Sequence, residues 1–150
     1  MQSINEMKLE FTSKSSNESF ARIVAAAFVS QIDPIVEELA DVKTAVSEAV
    51  TNAIIHGYED KDGFVRMECR LYRDSVEISV IDFGKGIKNI DEARQPLFTS
   101  KPEMERSGMG FTVMETFMDK LEVLSEPGKG TTVRMFKAFK SVKLGNNLEG

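Results

Sequence analysis

Residues 48–58, EAVTNAIIHGY, place three polar side chains at one-turn intervals on a helix that is otherwise patterned for burial. Glu48, Asn52 and His56 are each one turn apart and therefore lie on one face of the helix. An apolar stripe beside this polar row predicts that the helix packs on a sheet, and its members are Ile35, Leu39, Val42, Val46, Val50 and Ala53 or Ile54. A Glu and an Asn one turn apart usually form only a solvated helix surface. The polar row therefore indicates a functional site only if other motifs support it.

The chain before this stretch predicts one strand and one further helix. Residues 7–12, MKLEFT, alternate apolar and polar side chains, as an edge strand with one buried face does. Asp33 and Pro34 predict an N-cap and a first-turn proline, so the helix that carries the polar row is expected to run from there to about His56. The other helix is predicted over 18–32, with an apolar stripe of Phe20, Ile23, Val24, Ala27 and Phe28.

The chain after this stretch predicts a hairpin and then a long loop. Residues 64–72 and 75–82 alternate apolar and polar side chains on either side of a short turn, which is typical of a hairpin. The loop, residues 83–110, has little periodicity apart from a possible short helix near 89–94, and long loops within compact domains are usually functional or disordered. The remaining predicted elements are a helix over 109–120, strands over 121–126 and 131–139, and a loose tail over 141–150.

The order of these elements, β, α, α, β, β, loop, α, β, β, predicts an α+β fold. The expected architecture is a two-layer α/β sandwich in which helices cover one face of a mainly antiparallel mixed sheet. A chain of 150 residues with 41% hydrophobic residues suits one globular core, so residues 1–150 are interpreted as a single domain.

Charge, cysteine content and hydropathy exclude several classes of protein. The 24 acidic and 19 basic residues give a net charge of -5, without the positive field expected of a protein that binds nucleic acid directly. Cys69 is the only cysteine, so it cannot form an internal disulfide or a multi-thiolate metal site and is expected to be a buried thiol. The chain start lacks a signal-peptide pattern, and no apolar run approaches the roughly 18 residues of a membrane span. A cytoplasmic protein without a membrane partner is therefore expected.

Two glycine motifs follow the polar row: DFGKGI at 82–87 and RSGMGF at 106–111. Each alone is a weak signal, because Asp and Gly are common in turns and glycines can simply loosen the entry to a helix. Together with the polar row they match the needs of a nucleotide. A nucleotide requires an adenine pocket, hydrogen-bond donors for its phosphates and an oxygen ligand for the accompanying magnesium.

The sequence offers a candidate residue for each of these needs. Asp82, at the end of a predicted strand, can accept a hydrogen bond from an adenine amino group, and Gly84 and Gly86 allow the backbone to approach the base. Gly108 and Gly110, at the start of a predicted helix, can present backbone N–H groups to phosphates.

The polar row supplies the remaining chemistry of a nucleotide site. Asn52 can bind magnesium through its carbonyl oxygen, and Glu48, one turn earlier, can take a proton from an attacking hydroxyl or water. His56 lies inside this helix and is interpreted as a structural residue that orders the helix end.

The motifs, taken in order, resemble those of the Bergerat-fold ATPases, which include DNA gyrase, histidine kinases and mismatch-repair ATPases. The matching segments are EAVTNAIIH, DFGKGI, GMGF and, at 130–132, GTT. The chain is more similar still to the anti-sigma factors of spore-forming bacteria, which are small serine protein kinases. That similarity covers almost the whole chain and is carried by NESFAR, SEAVTNAIIHGY and EARQPLFTSKPEMERSGMGFTVME.

The resemblance implies both a function and a set of site residues. It implies a Bergerat fold that binds ATP and Mg²⁺, forms a homodimer, captures the sporulation sigma factor F, and phosphorylates a serine of an anti-anti-sigma factor. It makes Glu48 the catalytic base, Asn52 the magnesium ligand and Asp82 the adenine-specificity residue. The other implied nucleotide contacts are Gly84, Gly86, Lys101, Arg106, Ser107, Gly108, Gly110, Thr131 and Thr132.

The resemblance also implies a mobile lid and a partner surface. The lid would be residues 94–107, whose cations would meet the phosphates. The partner surface would lie on the first helix, at Asn17, Glu18 and Arg22 within NESFAR.

Two alternatives to a kinase remain open. The first is a nucleotide-responsive module that sequesters the sigma factor without transferring phosphate, and Glu48 argues against it because nucleotide binding alone needs no general base. The second is the ATPase domain of a gyrase-like protein or a histidine kinase. A chain of 150 residues leaves little room for the transducer domain or the phosphoacceptor helix pair of such a protein.

Overall fold

The computed structural model describes residues 2–59, 61–94 and 110–142. Four helices and five strands lie in these ranges, together with a 3-10 turn at Ser30–Ile32 and a π-helical turn at Ala53–Gly57. In chain order the helices and strands are β1 (Asn5–Thr12), α1 (Asn17–Val29), α2 (Val36–Asn52), β2 (Phe64–Leu71), β3 (Ser75–Asp82), α3 (Ile90–Ala93), α4 (Gly110–Phe117), β4 (Lys120–Glu126) and β5 (Gly130–Ala138).

The five strands form one sheet in the order β1-β2-β3-β5-β4. All four neighbouring pairs are antiparallel, so the described sheet is more uniform than the mainly antiparallel mixed sheet that was predicted. The α+β class and the predicted order of elements are confirmed. The edge position of β1 and the β2–β3 hairpin are confirmed as well.

The core lies between one face of the sheet and the helices α1, α2 and α4. Alternate residues of β2 and β3 face it, among them Val65, Met67, Ile78 and Val80, as the two-residue period of a strand requires. Cys69 belongs to the same buried row, and its burial raises the pKa of the thiol to about 12. The prediction of a buried packing thiol is therefore confirmed.

The opposite face of the sheet carries charged side chains that pair across neighbouring strands. The cross-strand ion pairs are Glu10–Arg66, Glu6–Arg70 and Glu122–Arg134. Such pairs suit a face that is not covered by helices. Within the described ranges, no helix combines the length and the apolar character needed to cross a bilayer.

The helix that carries the polar row begins later than the sequence predicted. Asp33 has a left-handed backbone, with a φ of 57°, and ends the 3-10 turn, so it does not act as an N-cap. Aspartate tolerates this conformation better than most residues do. The helix starts at Val36 after an extended Ile35, whose side chain is exposed instead of leading the buried stripe.

The buried face of α1 differs from the predicted stripe of large side chains. Ala21 and Ala25 are fully buried and Phe28 is largely buried, whereas Phe20 and Ile23 are 50% and 60% exposed. Small residues allow α1 to pack closely on α2, and this packing decides which of two overlapping apolar stripes turns inward. The choice leaves an exposed apolar surface on α1.

Candidate functional site

A cavity of about 460 Å³ lies between α2, the end of β3, the loop that follows β3, and the start of α4. This volume is within the range of small-molecule sites. The cavity brings together residues from all four motifs: Asn52, Asp82, Gly86, Gly110 and Thr131. Its apolar walls are formed by Ala49, Ala53, Val80, Ile87, Ala93, Phe111 and Val133, of which Val80, Ala93 and Val133 lie outside the four motifs.

Asp82 is the buried acid of the cavity. Its side chain is at the end of β3 on the core face of the sheet, and the residue is only 5% exposed. The Gly84 N–H donates to Oδ1 at 3.0 Å, and the Thr131 backbone N–H also bonds the carboxylate. Burial nevertheless outweighs these bonds and raises the pKa of Asp82 to about 6. A donor in the cavity, such as an exocyclic amino group, would stabilise the ionised form.

Gly57 is a site residue that the sequence motifs did not identify. A glycine directly after a helix often serves only to end it, but a Cβ here would lie 2.7 Å from the carboxyl carbon of Asp82. The Gly57 carbonyl also accepts a hydrogen bond from the Lys85 N–H at 2.9 Å, and a Cβ on Gly84 would come within 1.9 Å of that carbonyl oxygen. Only two glycines allow the helix end and the loop to meet this closely.

Asn52 and Gly110 meet at the other side of the cavity. A Cβ on Gly110 would lie 3.0 Å from Nδ2 and 3.1 Å from Oδ1 of Asn52, so the amide rests against the first turn of α4. A side-chain oxygen thus lies beside a helix N-terminus, which is a favourable place for negative charge. The predicted meeting of the polar row with the second glycine motif is present.

Thr131 and Thr132 lie on opposite faces of β5. Thr131 is buried and lines the cavity, and its Oγ1 is 2.7 Å from Oγ of Ser125. Thr132 pairs with Ile81 and does not line the cavity. Between the two threonines that the motif offered, the cavity therefore contains Thr131.

The first glycine motif also contacts the β4–β5 turn. Gly86 has a φ of 76°, and a Cβ there would lie 2.1 Å from the Glu126 carbonyl oxygen. The Ile87 N–H donates to Oγ of Ser125 at 2.7 Å. The loop after β3 is therefore held from two sides, by the end of the π-helical turn and by the β4–β5 turn.

Glu48 lies one turn before Asn52, as predicted, but it lines a different space. It borders a cleft of about 260 Å³ between α1 and α2 together with Arg22, Lys43, Thr44 and Ser47. It is not among the residues that border the larger cavity. The catalytic role of Glu48 stays a prediction.

The three residues of the predicted partner surface have different surroundings. Arg22 faces the cleft that contains Glu48 and pairs with Glu18 one turn away, with Nε and Oε2 3.3 Å apart. Asn17 instead donates from Nδ2 to the Thr12 carbonyl at 2.9 Å and so ties the start of α1 to the end of β1.

Four predicted phosphate contacts, Lys101, Arg106, Ser107 and Gly108, lie outside the described residues, as does most of the predicted lid. Arg94, at the start of that segment, is described. Its Nε donates to Oε1 of Glu115 on α4 at 3.0 Å.

Known proteins match this chain over most of its length. The model of the histidine kinase-like ATPase domain matches residues 11–137. An anti-sigma F factor of Clostridium kluyveri is 64% identical over 138 residues, which cover 92% of this chain and 97% of the relative. An anti-sigma F factor of a Thermoanaerobacter species is 61% identical over 143 residues, which cover 95% of this chain and all of the relative, 100%.

A solved structure supports the fold independently. The crystal structure of RsbU and RsbW domains of a Mycobacterium tuberculosis protein matches with a TM-score of 0.66 at 19% identity. The match covers 90% of this chain and 32% of that one, and at this identity it bears on the fold alone. The sequence matches and the site geometry lead to one conclusion: the chain belongs to the anti-sigma F factor family of histidine kinase-like ATPase domains.

Proposed function

We propose that the protein is an ATP- and magnesium-dependent serine kinase that also sequesters the sporulation sigma factor F. The observation that carries this proposal is the cavity in which Asp82, Asn52 and Gly110 meet, although they come from three distant motifs. Relatives of nearly the same length are anti-sigma F factors, which supports the sigma factor as the partner.

The cavity suggests how ATP is oriented. Asp82 and Thr131 form a buried polar end among apolar walls, which suits a flat base with an amino group. Gly110 begins α4, whose N-terminus favours phosphates. The adenine therefore belongs at Asp82 and the phosphates toward α4.

The chemistry of Asn52 fits a magnesium ion that arrives with the nucleotide. Magnesium in such sites is held by one or two protein oxygens together with substrate phosphates and water. The Asn52 amide lies against the N-terminus of α4, where the phosphates are expected. A bound magnesium ion would neutralise part of the negative charge of the phosphates.

Glu48 is proposed to act at the acceptor serine. The serine oxygen attacks the γ-phosphorus, the bond from that phosphorus to the bridging oxygen of ADP breaks, and Glu48 accepts the hydroxyl proton. Its position in the cleft with Arg22 connects the proposed base to the proposed partner surface. We place the approach of the anti-anti-sigma serine on this side of α2.

The proposed partner surface combines charge and apolar area on one helix. Arg22 and Glu18 form an ion pair on α1, and Phe20 and Ile23 on the same helix are exposed. Exposed apolar groups beside charges are common where proteins bind one another. We propose that α1, with Asn17 at its start, contributes to the contacts with the sigma factor and to the homodimer.

One observation favours the alternative of a sigma-binding module without phosphotransfer: Glu48 borders the cleft and not the larger cavity. Single-turnover phosphorylation with radiolabelled ATP, magnesium and a purified anti-anti-sigma factor separates the two functions. Transfer by the wild type should fall by on the order of 10² to 10⁴ in Glu48→Gln, the range for a positioned acid or base.

The control for this experiment is Glu37→Gln, an exposed residue near the start of the same helix. This control should retain full transfer, and both variants should retain ATP binding. Transfer by Glu48→Gln at the wild-type rate would remove the proposed base. Absence of transfer by the wild type would favour the binding module.

A further inference from the structure

We infer that Tyr58 is a positioning residue of the nucleotide site, because its hydroxyl separates β2 from β3 where Asp82 leaves the sheet. This inference rests on the proposed ATP site and adds a residue to it. Tyr58 follows the π-helical turn and lies outside the motif residues that were assigned to the nucleotide.

The hydrogen-bond pattern of the β2–β3 ladder locates the separation. Val65 pairs with Asp82, so Phe64 and Phe83 would form the next pair. At the far end of the hairpin the Tyr72 N–H donates to the Ser75 carbonyl. Since every second pair of an antiparallel ladder is hydrogen-bonded, the phase set by this bond makes Phe64 and Phe83 a hydrogen-bonded pair.

The Tyr58 hydroxyl takes the place of that direct pairing. The Phe83 N–H donates to Oη of Tyr58 at 2.8 Å, and the hydroxyl donates to the Phe64 carbonyl at 2.5 Å. One side chain therefore bridges the donor and the acceptor that would otherwise meet. The two strands are held apart immediately after Asp82, and the chain is free to turn over the cavity.

The tyrosine ring is held in this position by a glycine. A Cβ on Gly63 would lie 2.3 to 2.6 Å from ring carbons of Tyr58, so the ring occupies the space where a side chain would be. Burial is the main cause that raises the pKa of Tyr58, and the nearby Asp82 raises it further. The hydroxyl consequently keeps the proton that it donates to Phe64.

The turn that follows connects this bridge to the adenine end of the site. The N–H groups of residues 83, 84 and 85 donate to Tyr58, to the Asp82 carboxylate and to the Gly57 carbonyl, in that order. The first of these bonds depends on a single hydroxyl. Without it, Phe83 and Phe64 can pair directly, which would lengthen the ladder and draw the turn away from the Asp82 carboxylate.

The test compares Tyr58→Phe with Tyr72→Phe, a tyrosine at the opposite end of the same hairpin. Binding of ATP and of inosine triphosphate is measured by calorimetry, because inosine lacks the amino group from which Asp82 would accept a hydrogen bond. The wild type and Tyr72→Phe should prefer ATP to the same extent. Tyr58→Phe should lower the ratio of the two affinities by about two- to tenfold, the usual effect of one hydrogen bond.

The possible outcomes separate this inference from the proposed function. If the wild type does not prefer ATP, the adenine site itself is wrong, and the inference is overturned with it. If the wild type prefers ATP and Tyr58→Phe keeps the same ratio, the inference alone is overturned. Equal weakening of both nucleotides would indicate a purely structural role and would overturn it as well.

A second variant guards against a Tyr58→Phe protein that does not fold. Gly63→Ala keeps the hydroxyl but places a methyl group where the ring lies. It should lower the same affinity ratio in the same direction. An unchanged ratio in a folded Gly63→Ala protein would contradict the role of the ring position.

Discussion

The cavity and the cleft at Glu48 both border α2, but the proposed adenine end of the cavity and the cleft are built differently. Asp82 is 5% exposed, accepts two backbone N–H groups and lies against the glycine at the helix end. Arg22, in the cleft, has a side chain 37% exposed and an ion pair within its own helix. An ion pair between residues one turn apart in a helix contributes little to stability. Substitutions in the cleft should therefore alter partner binding without disturbing the nucleotide, whereas substitutions at the adenine end should affect both.

Asn52 lies between these two regions, and its replacement is the strongest test of their dependence on one another. Asn52→Ala should reduce ATP affinity, sigma-factor capture and phosphotransfer together, because all three are proposed to require the magnesium–nucleotide complex. Replacing a residue that only orients a metal ligand lowers metal affinity or activity roughly 10- to 100-fold. Replacing a direct ligand such as Asn52 should therefore lower ATP affinity at least about 100-fold.

Calorimetry with ATP and magnesium measures this loss, with Asn5→Ala on the exposed edge strand as the control. If a folded Asn52→Ala protein bound ATP normally, Asn52 would not belong to the site. If it lost ATP binding but still captured the sigma factor, capture of the sigma factor would not require the nucleotide.

The adenine end is tested directly by Asp82→Asn. The amide can donate as well as accept, so it no longer selects the amino group of adenine. Loss of a hydrogen bond to a charged group costs roughly 1.5 to 3 kcal/mol, which is about 10- to 100-fold in ATP affinity. Competition between ATP and GTP measures the change, and Asp62→Asn on the surface is the control. Unaltered discrimination would place the adenine elsewhere.

The raised pKa of Asp82 predicts opposite effects of pH on stability and on ATP affinity. In the absence of nucleotide, the pKa of the carboxyl is about 6 in the folded protein, above its ordinary value of 3.8. Between these values the folded protein binds more protons than the unfolded chain does. The contribution of Asp82 to stability therefore falls as pH rises through this window, by up to roughly 3 kcal/mol.

ATP affinity should change in the other direction. A bound adenine amino group stabilises the carboxylate, so the protein must release a proton on binding when the pH is below about 6. The contribution of Asp82 to affinity should fall by up to about tenfold per pH unit below that value. Binding and thermal unfolding measured from pH 4.5 to 8 on wild type and Asp82→Asn test both effects; parallel profiles of the two proteins would contradict them.

The cleft should show the smallest effect, confined to the partner. Arg22→Ala should leave ATP affinity within about twofold but weaken sigma-factor binding by about fivefold or more, since arginine is enriched among residues that dominate interfaces. Arg70→Ala, which removes an exposed cross-strand ion pair with Glu6, should change neither. Pull-down with purified sigma factor measures the partner effect. If Arg22→Ala lowered ATP affinity and Arg70→Ala did not, the cleft and the nucleotide cavity would be coupled, and the expected separation of the two regions would be wrong.

The sequence alone was sufficient to predict the order of the elements, the edge strand, the hairpin and a shared site for Asn52, Asp82 and Gly110, to which the family resemblance added Thr131 or Thr132. These predictions depend on short-range information. Periodicity reports which face of a strand or helix is buried, and glycines at the ends of elements report close approach of the backbone. Motifs in a fixed order then indicate which elements share a site.

Other features were decided only by contacts between residues far apart in the chain. The sequence offered two threonines, and the phase of β5 against β3 placed Thr131 in the cavity. Gly57 resembled an ordinary helix end until the fold placed it against Asp82.

The helix boundaries and buried faces were also set by the tertiary structure. Asp33 matched an N-cap by local pattern, but its backbone instead ends the 3-10 turn before α2. On α1, packing against α2 buried Ala21 and Ala25 and left Phe20 exposed. Close packing selects the shape of a side chain as well as its hydrophobicity, and shape complementarity depends on a partner that the local sequence does not contain.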